Sequence, residues 1–164
     1  MSNKVKKYIK ETLKFVLMLA IILNVVSYYK SMDLNKEKLN DQTFTLLNST
    51  TYNVPKDKPI LVHFWATWCP TCAIEAGNIE RISKDYEVIT IATQSGTKEE
   101  IQKYLDEHKL SFKVVDDQDG LYSRKFNISA FPTTLIYDKD KNLKFSEVGY
   151  TSTFGLYARM WWSD

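Results

Sequence analysis

The order of apolar and polar positions predicts alternating strands and helices in the larger, C-terminal part of the chain. Residues 60–65 form a compact apolar run, as expected for a strand that is buried on both faces. Two short segments, 43–47 and 51–54, predict a hairpin before that strand. Further strand patterns lie at 86–92, 112–115, 133–137 and 143–148, and helix-like patterns at 73–85, 98–108, 121–126 and 151–162. This alternation predicts an α/β fold in which helices flank a mixed central sheet.

An apolar run near the N-terminus, residues 13–29, is preceded by several lysines. As a helix this run reaches about 25 Å, close to the ~30 Å hydrocarbon core of a membrane. Lysines ahead of the run, with few beyond it, predict an N-terminus in the cytoplasm and a domain across the membrane. A cleaved signal peptide is the alternative that stays open. We therefore expect a basic cytoplasmic segment, a transmembrane signal anchor, a linker and a globular domain, at 1–12, 13–29, 30–41 and 42–164.

Composition and charge narrow the class of protein. Apolar residues make up 44% of the chain, which suits a packed core. Residues 1–30 contain six lysines and one glutamate, whereas the remainder has more acidic than basic residues. Because the net positive charge lies at the N-terminal end and the remainder is net acidic, the sequence has no nucleic-acid footprint.

The chain has two cysteines, Cys69 and Cys72, with two residues between them. A structural zinc site needs about four ligands, and the two histidines, His63 and His108, lie in different predicted elements, so we expect no metal. A purely structural disulfide is also disfavoured, because closing so short a loop constrains the unfolded chain little. The pair therefore predicts thiol–disulfide exchange, which needs no bound cofactor.

The position of the dithiol suits that chemistry, since it follows a buried strand and begins a helix. Thiolate is the reactive form of cysteine, and the free N–H groups and dipole at a helix start lower the pKa of Cys69 from its usual ~8.5. Pro70 fits the first helical turn, where its missing N–H has no consequence. We expect Cys69 to be the nucleophile that forms a mixed disulfide and Cys72 to resolve it.

Two motifs resemble the thioredoxin superfamily. They are Trp-Ala-Thr-Trp-Cys-Pro-Thr-Cys at 65–72 and Phe-Pro-Thr-Thr at 131–134. The closer match is the TlpA/ResA-like group of extracytoplasmic thioredoxins, and segments 149–152 and 160–162 look like the ScsD-type protein disulfide oxidoreductases. The resemblance implies a thioredoxin-like fold, a redox-active Cys69–Cys72 disulfide and a cis-proline opposite it. It also implies substrate contacts by Trp68, Pro70, Thr71, Phe131 and Pro132.

Two ionisable residues are candidates for proton transfer. Glu75 matches an acidic residue of the TlpA/ResA-like group, and desolvation would let it act as a proton shuttle for Cys72. The alternative for Glu75 is a surface residue that stabilises the first helical turn. His63 stands where many thioredoxins have a buried aspartate, so it is either a proton relay or a neutral core histidine.

Together these features favour a membrane-anchored thiol–disulfide oxidoreductase, at the bacterial inner membrane and facing the periplasm, that reduces disulfides of exported proteins. Its expected partners are exported thiol or disulfide proteins and a membrane thiol–disulfide relay that supplies electrons. Pro70 and Thr71 differ from the corresponding residues of relatives, so the reducing potential is not carried over. An oxidant that introduces disulfides, and an anchored binding or assembly module without turnover, stay open as alternatives.

Overall fold

The computed structural model describes residues 3–35, 37–39 and 43–164. The predicted linker–domain boundary at residues 41 and 42 lies outside this range. Helix α1 (Asn3–Ser31) precedes an antiparallel hairpin of β1 (Thr43–Thr45) and β2 (Thr51–Asn53). The elements that follow are β3 (Ile60–Trp65), α2 (Pro70–Ile82), β4 (Glu87–Thr93), α3 (Lys98–His108), β5 (Lys113–Asp117), α4 (Leu121–Lys125), β6 (Thr133–Tyr137), β7 (Leu143–Val148) and α5 (Thr153–Ser163).

The five longer strands form one mixed sheet in the order β5-β4-β3-β6-β7. Strand β3 is central, parallel to β4 and antiparallel to β6. All six of its residues are buried, as the apolar run predicts. The predicted mixed sheet with flanking helices is therefore confirmed.

Side chains of β3 alternate between two apolar cores, one on each face of the sheet. Leu61 and Trp65 join the core that contains both cysteines, whereas Val62 and Phe64 join the core on the opposite face. Helix α2 packs against α5. The dithiol thus lies at the end of the central strand, on the face of the sheet that these helices cover.

Helix α2 begins at Pro70, three residues earlier than the helix-like pattern at 73–85 indicates. Its buried residues are Cys72, Glu75, Ala76, Ile79 and Ile82, which share one helical face. Ile74 is 71% exposed, whereas the neighbouring Glu75 is fully buried. The helix therefore turns a carboxylate inward and an isoleucine outward.

Helix α1 includes the whole N-terminal apolar run and extends beyond it. Apolar side chains along it are exposed, among them Leu13, Phe15, Leu17 and Ile21. Among the helices that the structure describes, none combines the length and apolarity required to cross a membrane. The transmembrane segment expected at 13–29 is therefore not supported by the fold.

Each of the two edge strands, β5 and β7, contacts a segment from outside the sheet. At one edge, Leu47 N–H donates to Val114 O of β5 at 2.7 Å. At the other edge, Val148 N–H of β7 donates to Ser27 Oγ of α1 at 3.0 Å. The segment after β1 and the last part of α1 thus contact opposite margins of the sheet.

Candidate active site

The two cysteines lie at the start of α2 and form a disulfide, with their Cα atoms 5.2 Å apart. Cys69 is the N-cap residue, with an extended backbone, and its Sγ accepts the N–H of Cys72 at 3.2 Å. Pro70 occupies the first helical turn, as expected. The pairing expected from the sequence is therefore present in the structure.

An aromatic rim borders the dithiol. Trp68 is 60% exposed, and its ring meets Phe131 edge to face with centroids 5.8 Å apart. Phe131 also packs against the core that contains both cysteines. The Phe131–Pro132 peptide bond is cis, as the resemblance implied. The structure thus brings four of the predicted site residues, Trp68, Cys69, Phe131 and Pro132, to one place.

The loop after β4 holds this rim in position, and its role was not predicted from the sequence. Trp68 Nε1–H donates to Gln94 O at 3.0 Å. Thr67 N–H donates to Ser95 Oγ at 3.2 Å, and Thr67 Oγ1 donates to Ser95 O at 3.1 Å. Gly96 has a φ of +93°, and a Cβ there would collide with Glu100 Oε2. The signal that could have identified this loop is topological, because the carboxyl ends of adjacent parallel strands meet at one sheet edge.

Glu75 is completely buried one helical turn after Cys72, on the same face of α2. Its Oε1 accepts the N–H of Thr151 at 3.2 Å, whereas its buried Oε2 has no hydrogen-bond partner among the described residues. Burial raises the pKa of Glu75 to about 8, the Thr151 N–H opposes this rise, and the charge of Glu147 adds to it. The alternative of a surface glutamate is therefore wrong.

His63 is buried in β3, with Nδ1 2.9 Å from Thr134 Oγ1. Burial lowers the pKa of His63 to about 3, so the imidazole is neutral near pH 7. Its hydrogen bond and its neutral state agree with the core-histidine alternative. Proton relay by His63 stays a prediction.

Pro70 is exposed and Thr71 is half-buried at the start of α2, beside the disulfide. Within the described part of the chain, no group of three or more histidine, cysteine, aspartate and glutamate side chains is arranged to hold a metal ion. The chemistry that the arrangement offers is the opening and closing of one disulfide at a helix start, next to an apolar rim and a buried carboxyl group.

This fold and this disulfide define a thioredoxin-like thiol–disulfide oxidoreductase. Residues 31–146 match the AhpC/TSA family, and the chain belongs to that family. Relatives that carry names of the TlpA/ResA-like group, such as the thiol-disulfide oxidoreductase ResA of Oceanobacillus iheyensis, confirm the resemblance found in the sequence.

Similar proteins agree on the class of enzyme. A thioredoxin-like protein of Haemophilus influenzae is 27% identical over 98% of both chains. The thiol:disulfide interchange protein DsbE of Pseudomonas aeruginosa is 30% identical over 57% of this chain and 53% of its own. Among solved structures, a thioredoxin-family thiol:disulfide interchange protein of Chlorobium tepidum has a TM-score of 0.69 at 20% identity, covering 79% of this chain and 97% of its own. At that identity the structural likeness concerns the fold.

Proposed function

We propose that this enzyme reduces disulfides of exported proteins on the extracytoplasmic side of a bacterial membrane, to which its N-terminal segment attaches it. The observation that carries the proposal is the Cys69–Cys72 disulfide at the start of α2, bordered by Trp68 and Phe131. Electrons would come from a membrane thiol–disulfide relay, because the chain has no cysteines other than this pair.

In the proposed cycle, the Cys69 thiolate attacks one sulfur of a substrate disulfide. A Cys69–substrate bond forms, and the other substrate sulfur leaves as a thiolate. Cys72 then attacks Cys69 Sγ, closes the internal disulfide and releases the second substrate thiol. Two electrons pass to the substrate, and the relay restores the dithiol.

Substrate binding is assigned to the rim and to the residues beside Cys69. Trp68 and Phe131 offer apolar rings, and the backbone of Phe131 can pair with an extended segment of substrate. Pro70, Thr71 and Pro132 complete the surface around the reactive sulfur. Such contacts suit partly unfolded proteins, because an extended chain presents both backbone groups and apolar side chains.

The residues between the two cysteines carry no charge, which favours reduction of substrate disulfides over their formation. A strongly oxidising dithiol owes its potential to stabilisation of its reduced, thiolate form. Here Pro70 and Thr71 carry no charge, and Cys69 Sγ accepts one backbone N–H, from Cys72. Glu75, which is neutral below its pKa of about 8, supplies no positive charge that would stabilise a thiolate. We therefore expect modest thiolate stabilisation and a low potential.

Equilibration of the full chain with glutathione or dithiothreitol buffers measures this potential. We expect a value closer to about −270 mV than to about −120 mV. The Cys69→Ser variant should show no redox transition and no insulin reduction. A value near that of a strong oxidant would overturn the reducing direction, and no turnover by the wild type with any thiol donor would favour a binding module.

Trapping of mixed disulfides on Cys69 should identify the proteins with which this enzyme exchanges disulfides. The Cys72→Ala variant lacks the resolving sulfur, so mixed disulfides on Cys69 should accumulate in intact cells. Mass spectrometry of the trapped complexes should recover proteins with extracytoplasmic cysteines, and Cys69→Ser/Cys72→Ala is the matched control. Recovery of cytoplasmic proteins alone would contradict the proposed location.

A further inference from the structure

A second carboxylate, Glu147 of β7, lines the same groove as Thr151, whose N–H binds the buried Glu75. The charge of Glu147 contributes to the raised pKa of Glu75. Glu147 is itself paired, with its Oε1 2.7 Å from Arg159 Nη2 of α5. The side chains of this pair are 19% and 24% exposed, so solvent screens their charges less than it screens those of a surface pair.

The contacts around Glu75 leave one of its oxygens available for a proton. The N–H of Thr151 fixes Oε1, whereas Oε2 is buried without a hydrogen-bond partner in the described structure. Cys72 precedes Glu75 by one turn on the same helical face, the spacing at which side chains of a helix are neighbours.

A groove of about 470 Å³ lies beside this ion pair, between α1 and α5. Glu147, Thr151, Arg159 and Ser27 are among its lining residues. The backbone of Thr151 also binds Glu75, so the groove reaches the residue that holds the buried carboxyl.

We propose that Glu147 and Arg159 are positioning residues for proton transfer between Glu75 and Cys72. The proposal rests on the proposed function, in which Cys72 alternates between thiol and disulfide. It adds residues from β7 and α5 to a site that is otherwise built on α2 and on the loops around Trp68 and Phe131.

The proton balance is explicit for reduction of the internal disulfide. A donor thiolate attacks Cys69 Sγ, a mixed disulfide forms and the Cys69–Cys72 bond breaks. The electron pair of that bond leaves on Cys72 Sγ, which takes the proton from Glu75. When Cys72 later attacks the mixed disulfide with a substrate, its proton returns to the Glu75 carboxylate.

His63 of β3 and Tyr150 of the loop before α5 are further ionisable groups on the surrounding elements. His63 of β3 is neutral above about pH 3. The Tyr150 hydroxyl, in the loop before α5, accepts a hydrogen bond from Asn78 Nδ2 at 3.2 Å. Cys69 and Cys72 do not titrate while they are joined. Glu147 and Arg159 are therefore the charges expected to control Glu75 in the oxidised protein.

The test uses the oxidised full chain and dithiothreitol. The rate of disulfide reduction is followed by alkylation and mass spectrometry, and is divided by the concentration of donor thiolate at each pH. For the wild type we expect a constant value at low pH and a decline centred at about pH 8, where Glu75 loses its proton. Glu75→Gln should remove the decline.

Two variants, Glu147→Gln and Arg159→Gln, should shift the pH of the decline in opposite directions, which a loss of structure alone would not do. Glu147→Gln removes a negative charge and leaves Arg159 unpaired, so the decline should move about one unit to lower pH. Arg159→Gln leaves Glu147 unpaired, so the decline should move to higher pH. Arg159→Lys keeps the charge and should restore the wild-type profile.

The matched control is Glu87→Gln, because Glu87 is also a sheet glutamate next to a cation, with Oε2 3.4 Å from Lys113 Nζ. This variant should keep the wild-type profile. Absent shifts, or shifts in the same direction, for Glu147→Gln and Arg159→Gln would overturn the positioning role even if Glu75→Gln removes the decline. Persistence of the decline in Glu75→Gln would instead overturn the role of Glu75 itself.

Discussion

Burial favours the neutral forms of Glu75 and His63, with opposite consequences for the dependence of stability on pH. Glu75 has a pKa raised to about 8, so the folded protein binds more protons than the unfolded chain between pH 4.5 and 8. His63 has a pKa lowered to about 3 from 6.5, so the folded protein binds fewer protons between those values. Rising pH therefore removes stability through Glu75, and falling pH removes it through His63.

Replacement of Glu75 by glutamine should separate these two effects. A glutamine side chain stays neutral, so Glu75→Gln should lose less stability than the wild type as pH rises from about 4.5 to 8. Urea unfolding at several pH values measures the difference, and the loss on acidification through His63 should remain in both proteins. Parallel stability curves for the two proteins would show that Glu75 ionises normally.

Trp68 should matter for substrate binding more than for folding. The Trp68→Ala variant loses the ring contact with Phe131 and the hydrogen bond to Gln94 O, but the side chain is mostly exposed. We expect KM for a peptide disulfide to rise several-fold, with a loss of stability of about 1 kcal/mol or less.

Trp162→Ala is the matched control for Trp68→Ala. Trp162 is 75% exposed near the end of α5. Its replacement should leave KM unchanged. Equal effects of the two substitutions on KM would contradict a specific role for the rim.

At the scale of elements, the pattern of apolar and polar residues predicts the bounds of a strand or helix when each of its faces is buried or exposed along its whole length. The bounds of β3, α3, β6 and β7 agree with the patterns at 60–65, 98–108, 133–137 and 143–148. Strand β5 extends to Asp117, past the predicted end, because Asp117 pairs with Thr93 of β4. The buried Asp117 carboxylate also accepts the N–H groups of Tyr122 and Ser123 in α4. Such a polar strand end follows from tertiary contacts, which periodicity does not report.

The N-cap of α3 should contribute to stability without affecting the reaction. Thr97 Oγ1 accepts the Glu100 N–H at 3.3 Å, and Glu100 Oε2 accepts the Thr97 N–H at 2.7 Å. Thr97→Ala should lower the free energy of unfolding by about 1 kcal/mol, measured in urea, at unchanged insulin reduction. Thr97→Ser should restore the stability. A loss of activity larger than the loss of folded protein would show that α3 communicates with the dithiol.

For the whole molecule, the sequence predicted the fold class and the central pair of cysteines, since a strand–dithiol–helix arrangement and a distant proline are local patterns. The residues that the sequence analysis missed reach the site through tertiary contacts. Gln94 and Ser95 lie at the end of a neighbouring strand, and Glu147 and Arg159 belong to the last strand and helix. Their types and spacing contain no motif, so the three-dimensional arrangement was needed to find them.

The proposed membrane attachment is tested on the full chain. Exposed apolar side chains of α1, including Leu17 and Ile21, support an apolar environment for this helix. We expect the full chain to sediment with membranes after carbonate washing and to be released by detergent. Leu17→Lys/Ile21→Lys should move it to the supernatant, whereas Lys7→Gln should not. A wild type that stays in the supernatant would contradict attachment.

The contacts at both margins of the sheet have a consequence for aggregation. An open strand edge is a template on which another polypeptide can extend a sheet and aggregate. Here the segment after β1 contacts β5, and Ser27 contacts β7, so neither margin is entirely bare. A further extended segment is thereby hindered from pairing with either edge strand as a sixth strand of the sheet.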